Sequence, residues 1–118
     1  MMMSIVIKRI YEESSKNDGY RILVDRIWPR GISKEKANLD EWTKNIAPST
    51  ELRKWFNHKE ERFEEFSSKY KAELLQDREE LKRIQEIAEV KQVMLLYAAK
   101  DTHLNQATVL QNILNTTL

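Results

Sequence analysis

The run Ile22-Leu23-Val24 limits the fold of this chain more than any other feature. An unbroken apolar run this short predicts a strand that is buried on both faces, and we assign the strand to residues 21–25. Strands of this kind usually belong to parallel sheets that helices cover on both sides. The segment QVMLLYAA at 92–99 has the same character and predicts another buried strand in the second half of the chain.

The remaining hydrophobic patterns complete an α/β arrangement. Residues 4–10 predict a first strand, and the turn signal Asp18-Gly19 leaves a hairpin open as the next connection, although ten residues would make a long one. Residues 39–49 fit either a helical face or a short extended piece, and that choice stays open. Capping residues and apolar faces predict helices over KEKA at 34–37, TELRKWF at 50–56, the stretches around 63–74 and 81–88, and 105–117.

These elements predict one α/β domain spanning residues 1–118. Its expected centre is a small, mostly parallel sheet of three or four strands, with four or five flanking helices in Rossmann-like layering. A chain of 118 residues suits one domain and is long enough to form a core without disulfides.

Composition excludes several function classes. The chain has no cysteine, which rules out disulfides, zinc–thiolate sites and a cysteine nucleophile. Its 20 basic and 19 acidic residues leave a net charge of +1, which argues against a broad nucleic-acid-binding surface but not against a local basic patch. The apolar runs are too short to cross a membrane and the first residues lack a signal-peptide pattern, so we expect a cytoplasmic protein with no membrane partner. Two isolated histidines are a weak metal signal, and we predict neither a metal nor a cofactor.

Polar residues gather where two of the predicted strands end. In open α/β sheets, ligands bind beyond the carboxyl ends of the strands, and parallel strands bring both groups to one edge. Arginine side chains there can hold phosphate or carboxylate in a bidentate manner, and backbone amides at the start of the last helix also favour anions. The first group contains Asp25, Arg26, Trp28, Arg30 and Lys34, and the second contains Lys100, Asp101, His103 and Asn105.

The chemistry of these residues suggests their roles. Asp25 or Asp101 is the candidate for proton transfer, with His58 behind them. The cations expected to neutralise the anion are Arg26, Arg30 and Lys100. The full set of predicted ligand-binding residues is Arg26, Trp28, Arg30, Lys34, Ser49, Arg53, Lys100 and Asn105.

Each of these residues also has a purely structural explanation. The charges nearest the two strand ends can pair with one another, because ion-pair networks resemble sites in sequence. Asp101 and Ser49 can be helix N-caps. Trp28 can lie at the edge of the core, and His58 can be a helix cap or a surface residue.

Three functions remain open from the residues alone. The leading hypothesis is the binding of a small phosphate- or carboxylate-bearing ligand, with or without turnover. The second is a nucleic-acid-binding module in which basic residues and Trp28, Trp42 and Trp55 hold a strand by phosphate contacts and stacking. The third is a homodimer or other interaction protein that uses the charged helical faces of residues 59–90.

Three segments resemble the YeaO-like family, a group of small bacterial proteins classed as a domain of unknown function. They are RILVDRIWPRGISKEKANLDEW, APSTELRKWFNHKEERFEEFSSKY and VMLLYAAKDTHLNQATVL, and the likeness extends from about Val6 to Leu110. The resemblance implies a cytosolic, single-domain bacterial protein of α/β type, and it implies no reaction and no role for any residue. The positions that match the family motifs are Asp25, Arg26, Trp28, Pro29, Arg30, Gly31, Lys34, Ser49, Arg53, Trp55, His58, Tyr97, Lys100, Asp101 and Asn105.

Overall fold

A four-stranded sheet forms the centre of the computed structural model, which describes residues 4–116. Each neighbouring pair of strands is parallel, so all four carboxyl ends lie at one edge. The strands are β1 (Ile5–Arg9), β2 (Tyr20–Leu23), β3 (Glu41–Trp42) and β4 (Val93–Tyr97), in the spatial order β1-β4-β2-β3.

Five α-helices accompany the sheet in the described residues, which confirms the predicted α/β class. None of these helices is long and apolar enough to cross a membrane. The segment 39–49, which the sequence left open, contains strand β3 and a 3-10 turn at Lys44–Ile46. The helices are α1 (Lys34–Ala37), α2 (Thr50–Phe56), α3 (Phe63–Leu75), α4 (Arg78–Val90) and α5 (Gln106–Leu114).

The two faces of the sheet are covered unevenly. Ile22 and Val24 face the larger core, which contains residues of α2, α3, α4 and α5. Leu23 points to the opposite face, where α1, Trp42 of β3 and the loop carrying Trp28 cover it. Both faces are therefore closed to water, which explains why the run 22–24 is apolar throughout.

Strand β4 lies between β1 and β2, so the connection after β1 is not a hairpin. The backbone N–H of Tyr20 donates to the carbonyl of Gln92 at 2.8 Å, which sets where β2 begins against β4. Gly19 lies just before this contact with φ +79. This register between β2 and β4 determines which residues lie side by side where the two strands end.

Strand β2 ends at Leu23, two residues before the predicted limit of 21–25. The N–H of Val24 still donates to the Leu96 carbonyl at 3.0 Å. Just after β4, the backbone N–H of Ala98 donates to the Asp25 carboxylate at 3.0 Å, and not to a backbone carbonyl of the β2 segment. A side chain thus replaces the backbone ladder, and the two segments separate beyond this point.

Two arginines outside the predicted site form ion pairs that hold the fold together. Arg21 is only 2% exposed and donates to the Asp18 carboxylate and to the carbonyls of Ala37 and Asn38. Arg83 pairs with Glu41 at 2.7 Å, joining α4 to β3. These ion pairs support the fold away from the carboxyl edge of the sheet.

We predict that Gly19→Ala destabilises the protein far more than Gly31→Ala. Both glycines have φ +79, but a Cβ on Gly19 would collide with the Gln92 carbonyl oxygen, whereas a Cβ on Gly31 has no heavy atom within 4 Å. Backbone strain alone costs about 1 kcal/mol, and the collision should add about 2 kcal/mol. Urea unfolding of the two variants measures the difference, and equal losses would contradict this account of the register.

Candidate functional site

A cavity of about 880 Å³ opens at the carboxyl edge of the sheet. The β2–α1 connection, helix α2 with the turn that follows it, and the β4–α5 connection form its walls. The lining residues are Asp25, Arg26, Ile27, Trp28, Pro29, Arg30, Pro48, Arg53, Phe56, His58, Glu60, Phe66, Ala98, Ala99, Lys100, Asp101, Leu104, Asn105 and Gln106.

Most of the predicted site residues lie on this one cavity. Lys34 and Ser49 are outside the lining. Lys34 is exposed at the start of α1, and Ser49 is the N-cap of α2, where its hydroxyl donates to Glu73 at 2.6 Å. The predicted residues that do line the cavity are Asp25, Arg26, Trp28, Arg30, Arg53, His58, Lys100, Asp101 and Asn105.

Asp25 is the half-buried carboxylate of the site. Its Oδ2 accepts the Ala98 N–H at 3.0 Å and its Oδ1 accepts the Gln106 side-chain amide. No cation of the described residues lies within ion-pair distance of it. Burial raises the pKa of Asp25 to about 6, and the Ala98 hydrogen bond and the charge of Arg53 offset that rise only in part. The group can therefore gain or lose a proton near neutral pH.

Three exposed cations approach the cavity from three different elements. Arg30 lies on the β2–α1 connection, Arg53 on α2 and Lys100 on the β4–α5 connection. None of the three forms an ion pair with another side chain in the part of the chain that the structure describes. That Arg30, Arg53 and Lys100 bind an anion stays a prediction from the sequence.

Arg26 has partners within the fold, although it lines the cavity. Its Nε donates to the Pro48 carbonyl at 3.0 Å and its Nη2 donates to the Ala47 carbonyl at 3.3 Å. These bonds attach the end of β2 to the segment that leads into α2. Arg26 thus helps to position the segment before α2, and it has fewer donors left for an anion than we expected.

Asp101 and Asn105 shape the turn before α5. The Asp101 Oδ1 accepts the N–H groups of His103 and Leu104, each at 2.9 Å. These bonds hold the pKa of Asp101 below its usual value, which disfavours a proton-donating role at neutral pH. Asn105 is the buried N-cap of α5 and accepts the Thr108 N–H at 3.0 Å. Of the two carboxylates predicted for proton transfer, Asp25 has the more suitable environment.

His58 lies on the same cavity as Asp25, which the sequence left undetermined. It is exposed and follows the end of α2 with φ 53, directly after Asn57 with φ 46. Two successive non-glycine residues with positive φ are uncommon, and they turn the chain back at the C-terminus of the helix. The His58 ring centre lies 6.2 Å from that of Phe56, which forms part of the apolar wall.

The tryptophans are used mainly in packing. The indole N–H of Trp28 donates to the Ile32 carbonyl at 2.7 Å, and that of Trp42 donates to the Asp25 carbonyl at 2.6 Å. Their rings meet edge to face with centres 5.3 Å apart. Trp28 alone of the three tryptophans lines the cavity, so they do not form a joint stacking platform.

The sequence analysis did not predict that Phe56, Phe66 and Gln106 line the cavity. Phe56 and Phe66 lie on the apolar faces of two predicted helices, a pattern that predicts core residues, and their rings stack with centres 4.3 Å apart while also lining the cavity. Gln106 was not considered, although its position directly after the predicted cap Asn105 was a usable signal. Among the described residues, no group of three or more side chains is arranged to hold a metal ion.

Comparison with known proteins places the chain in a family context. A family model described as the inactive DUF488-N3 subclade matches residues 4–118. The uncharacterized protein YeaO of Escherichia coli is 51% identical over 108 residues, which cover 92% of this chain and 94% of the relative. The uncharacterized protein Rv3073c of Mycobacterium tuberculosis and Mb3100c of Mycobacterium bovis are each 40% identical over 109 residues, covering 92% of both chains. No solved structure shows a significant match.

We predict that Asp25→Asn stabilises the protein at neutral pH and that the gain disappears in acid. The pKa of Asp25 is about 6 in the folded protein, and its ordinary value, which applies to the unfolded chain, is 3.8. Protonation of Asp25 therefore stabilises the folded state, and this stabilisation is complete below about pH 4. That stabilisation is lost as the pH rises through 6. Asparagine never ionises, so the gain should reach about 2–3 kcal/mol above pH 7.

Urea unfolding from pH 4 to pH 8 measures this gain. Glu51→Gln, which removes an exposed carboxylate outside the cavity, controls for the change in net charge. If Asp25→Asn were less stable than the parent at pH 7, the carboxylate would be well solvated and our view of its environment would be wrong.

Proposed function

We propose that this chain, which belongs to the inactive DUF488-N3 subclade, binds a small phosphate- or carboxylate-bearing ligand in the cavity at the carboxyl edge of its sheet. The sequence segments that resemble the YeaO-like family agree with this membership, since YeaO of Escherichia coli is 51% identical to the chain. A cytoplasmic location, as expected from the sequence, is part of the proposal.

The convergence of Arg30, Arg53 and Lys100 on one cavity carries the proposal. Arg21 and Arg83 support the fold through Asp18 and Glu41, whereas these three cations from separate elements have no ion-pair partner among the described residues. Like charges brought to one cavity repel one another, and an anion between them relieves that repulsion. Arginine also offers two parallel N–H groups to phosphate or carboxylate oxygens.

The charge of the whole lining supports an anionic ligand. Four cations line the cavity against three carboxylates, giving a formal charge of +1 with all groups ionised. The cations are Arg26, Arg30, Arg53 and Lys100, and the carboxylates belong to Asp25, Glu60 and Asp101. Protonation of Asp25 would raise the total to +2.

The apolar wall supports a ligand with a ring or hydrocarbon body. Phe56, Pro29 and Leu104 face the same space as the cations. Small-molecule sites are commonly apolar cavities with a few polar groups that orient the ligand. A bare phosphate ion would leave this wall exposed to water, so we expect an organic anion.

Binding without turnover suits the site better than catalysis does. The family description "inactive" supports this choice. Asp101 is occupied by two backbone N–H groups, and Arg26 by two carbonyls. Asp25 and His58 then act as ligand contacts rather than as an acid–base pair.

We predict that phenyl phosphate binds and that Arg30→Ala, Arg53→Ala and Lys100→Ala each weaken it about tenfold, or ~1.4 kcal/mol. Each substitution removes a charged donor from the cavity. Lys34→Ala is the matched control, because it removes an exposed cation outside the lining. Isothermal titration calorimetry at low salt measures all four variants.

Two results would contradict the proposal. One is the absence of binding by phenyl phosphate, phenylacetate and related organic anions. The other is an equal loss of affinity in Lys34→Ala, which would indicate diffuse attraction to surface charge rather than a site.

A further inference from the structure

Asp25 is a cavity-lining carboxylate that has no cation as a partner in the described part of the molecule. It is half-buried, yet both of its hydrogen-bond partners, the Ala98 N–H and the Gln106 amide, are neutral. Asp18 and Glu41 are paired with Lys8, Arg21 and Arg83, whereas Glu73, which also lacks a cation among the described residues, is held by the N–H and hydroxyl of Ser49 outside the cavity. A carboxylate withdrawn from water without a cation is costly to keep ionised.

Asp25 retains capacity to accept further hydrogen bonds. An ionised carboxylate has about four lone-pair positions, and the fold uses one on each oxygen. The Gln106 amide donates its N–H to Asp25, which leaves the Gln106 carbonyl oxygen as a second acceptor beside it. This part of the lining therefore offers mainly acceptors.

The acceptor group and the cations belong to one cavity. Arg53 is close enough for its charge to act on Asp25, although the two do not form an ion pair. A volume of about 880 Å³ is ample for a drug-sized molecule. A ligand held by the exposed cations can thus extend to the half-buried Asp25.

We infer that the ligand is zwitterionic: besides its phosphate or carboxylate, it carries an amino group that donates to Asp25 and Gln106. This inference rests on the proposed anion binding and extends it by naming the second group that the ligand must have. An ammonium group supplies the missing counter-charge and up to three donors. The apolar wall formed by Phe56, Pro29 and Leu104 accommodates the body that separates the two ends.

Two matched pairs of synthetic probes test the inference. The first pair is 4-(2-aminoethyl)phenyl phosphate and 4-ethylphenyl phosphate, and the second is 4-(aminomethyl)benzoate and 4-methylbenzoate. Within each pair the ring and the anion are the same and only the amino group differs. Calorimetry at pH 7.5 should show that the aminated member of at least one pair binds the wild-type protein at least tenfold more tightly.

Asp25→Asn identifies the partner of the amino group. This variant should bind both members of the pair with equal affinity, and its affinity for the member without the amino group should be equal to or greater than that of the wild type. Glu51→Gln, which removes an exposed carboxylate outside the cavity, should keep the wild-type preference. A preference that survives in Asp25→Asn would overturn the inference.

The outcomes separate this inference from the function on which it rests. If both members of each pair bind the wild type equally, anion binding stands and the zwitterionic ligand is wrong. If no member of either pair binds, the anion site itself is wrong.

Discussion

The hydrogen bond from the Ala98 N–H to the Asp25 carboxylate, 3.0 Å long, is the contact on which the site depends. It lies where the two central strands β2 and β4 stop pairing through their backbones. The Asp25 carbonyl also accepts the Trp42 indole N–H, so one residue joins β2, β3 and the segment after β4. Beyond this junction the connections diverge, and the space between them is the cavity. The residue that ends the sheet is therefore also the half-buried charge of the site.

Electrostatics distinguish the charges of the fold from those of the site. Arg21 and Arg83 are held by carboxylates that lie on other elements or turns. Arg30, Arg53 and Lys100 have no such partners among the described residues, and Asp25 has no cation. A half-buried carboxylate without a cation lowers stability, whereas the three exposed cations are solvated by water. The opposite signs of the two unmatched sets are the basis for proposing a ligand that carries both charges.

Much of this arrangement could be predicted from local sequence. Apolar runs identified strands β2 and β4, and Ser49 marked the start of α2 as its N-cap. Parallel strands then required both polar groups to meet at one edge. The roles of Ser49 and Arg26 could not be predicted, because they depend on contacts between residues distant in sequence. Ser49 is bound by the Glu73 carboxylate outside the cavity, and Arg26 donates to the carbonyls of Ala47 and Pro48. The place of His58 follows from how α2 packs, which no local pattern specifies.

The most direct test of a ligand site at this edge is an NMR titration that follows the side-chain Nε–H resonances of all arginines in one sample while phenyl phosphate is added. The account predicts saturable shifts for Arg30 and Arg53. It predicts little change for Arg21 and Arg83, whose donors are already bound to carboxylates and carbonyls. Arg21 and Arg83 thus serve as internal controls for salt and pH. Shifts of similar size at all four arginines, or no shift at Arg30 and Arg53, would contradict the central claim.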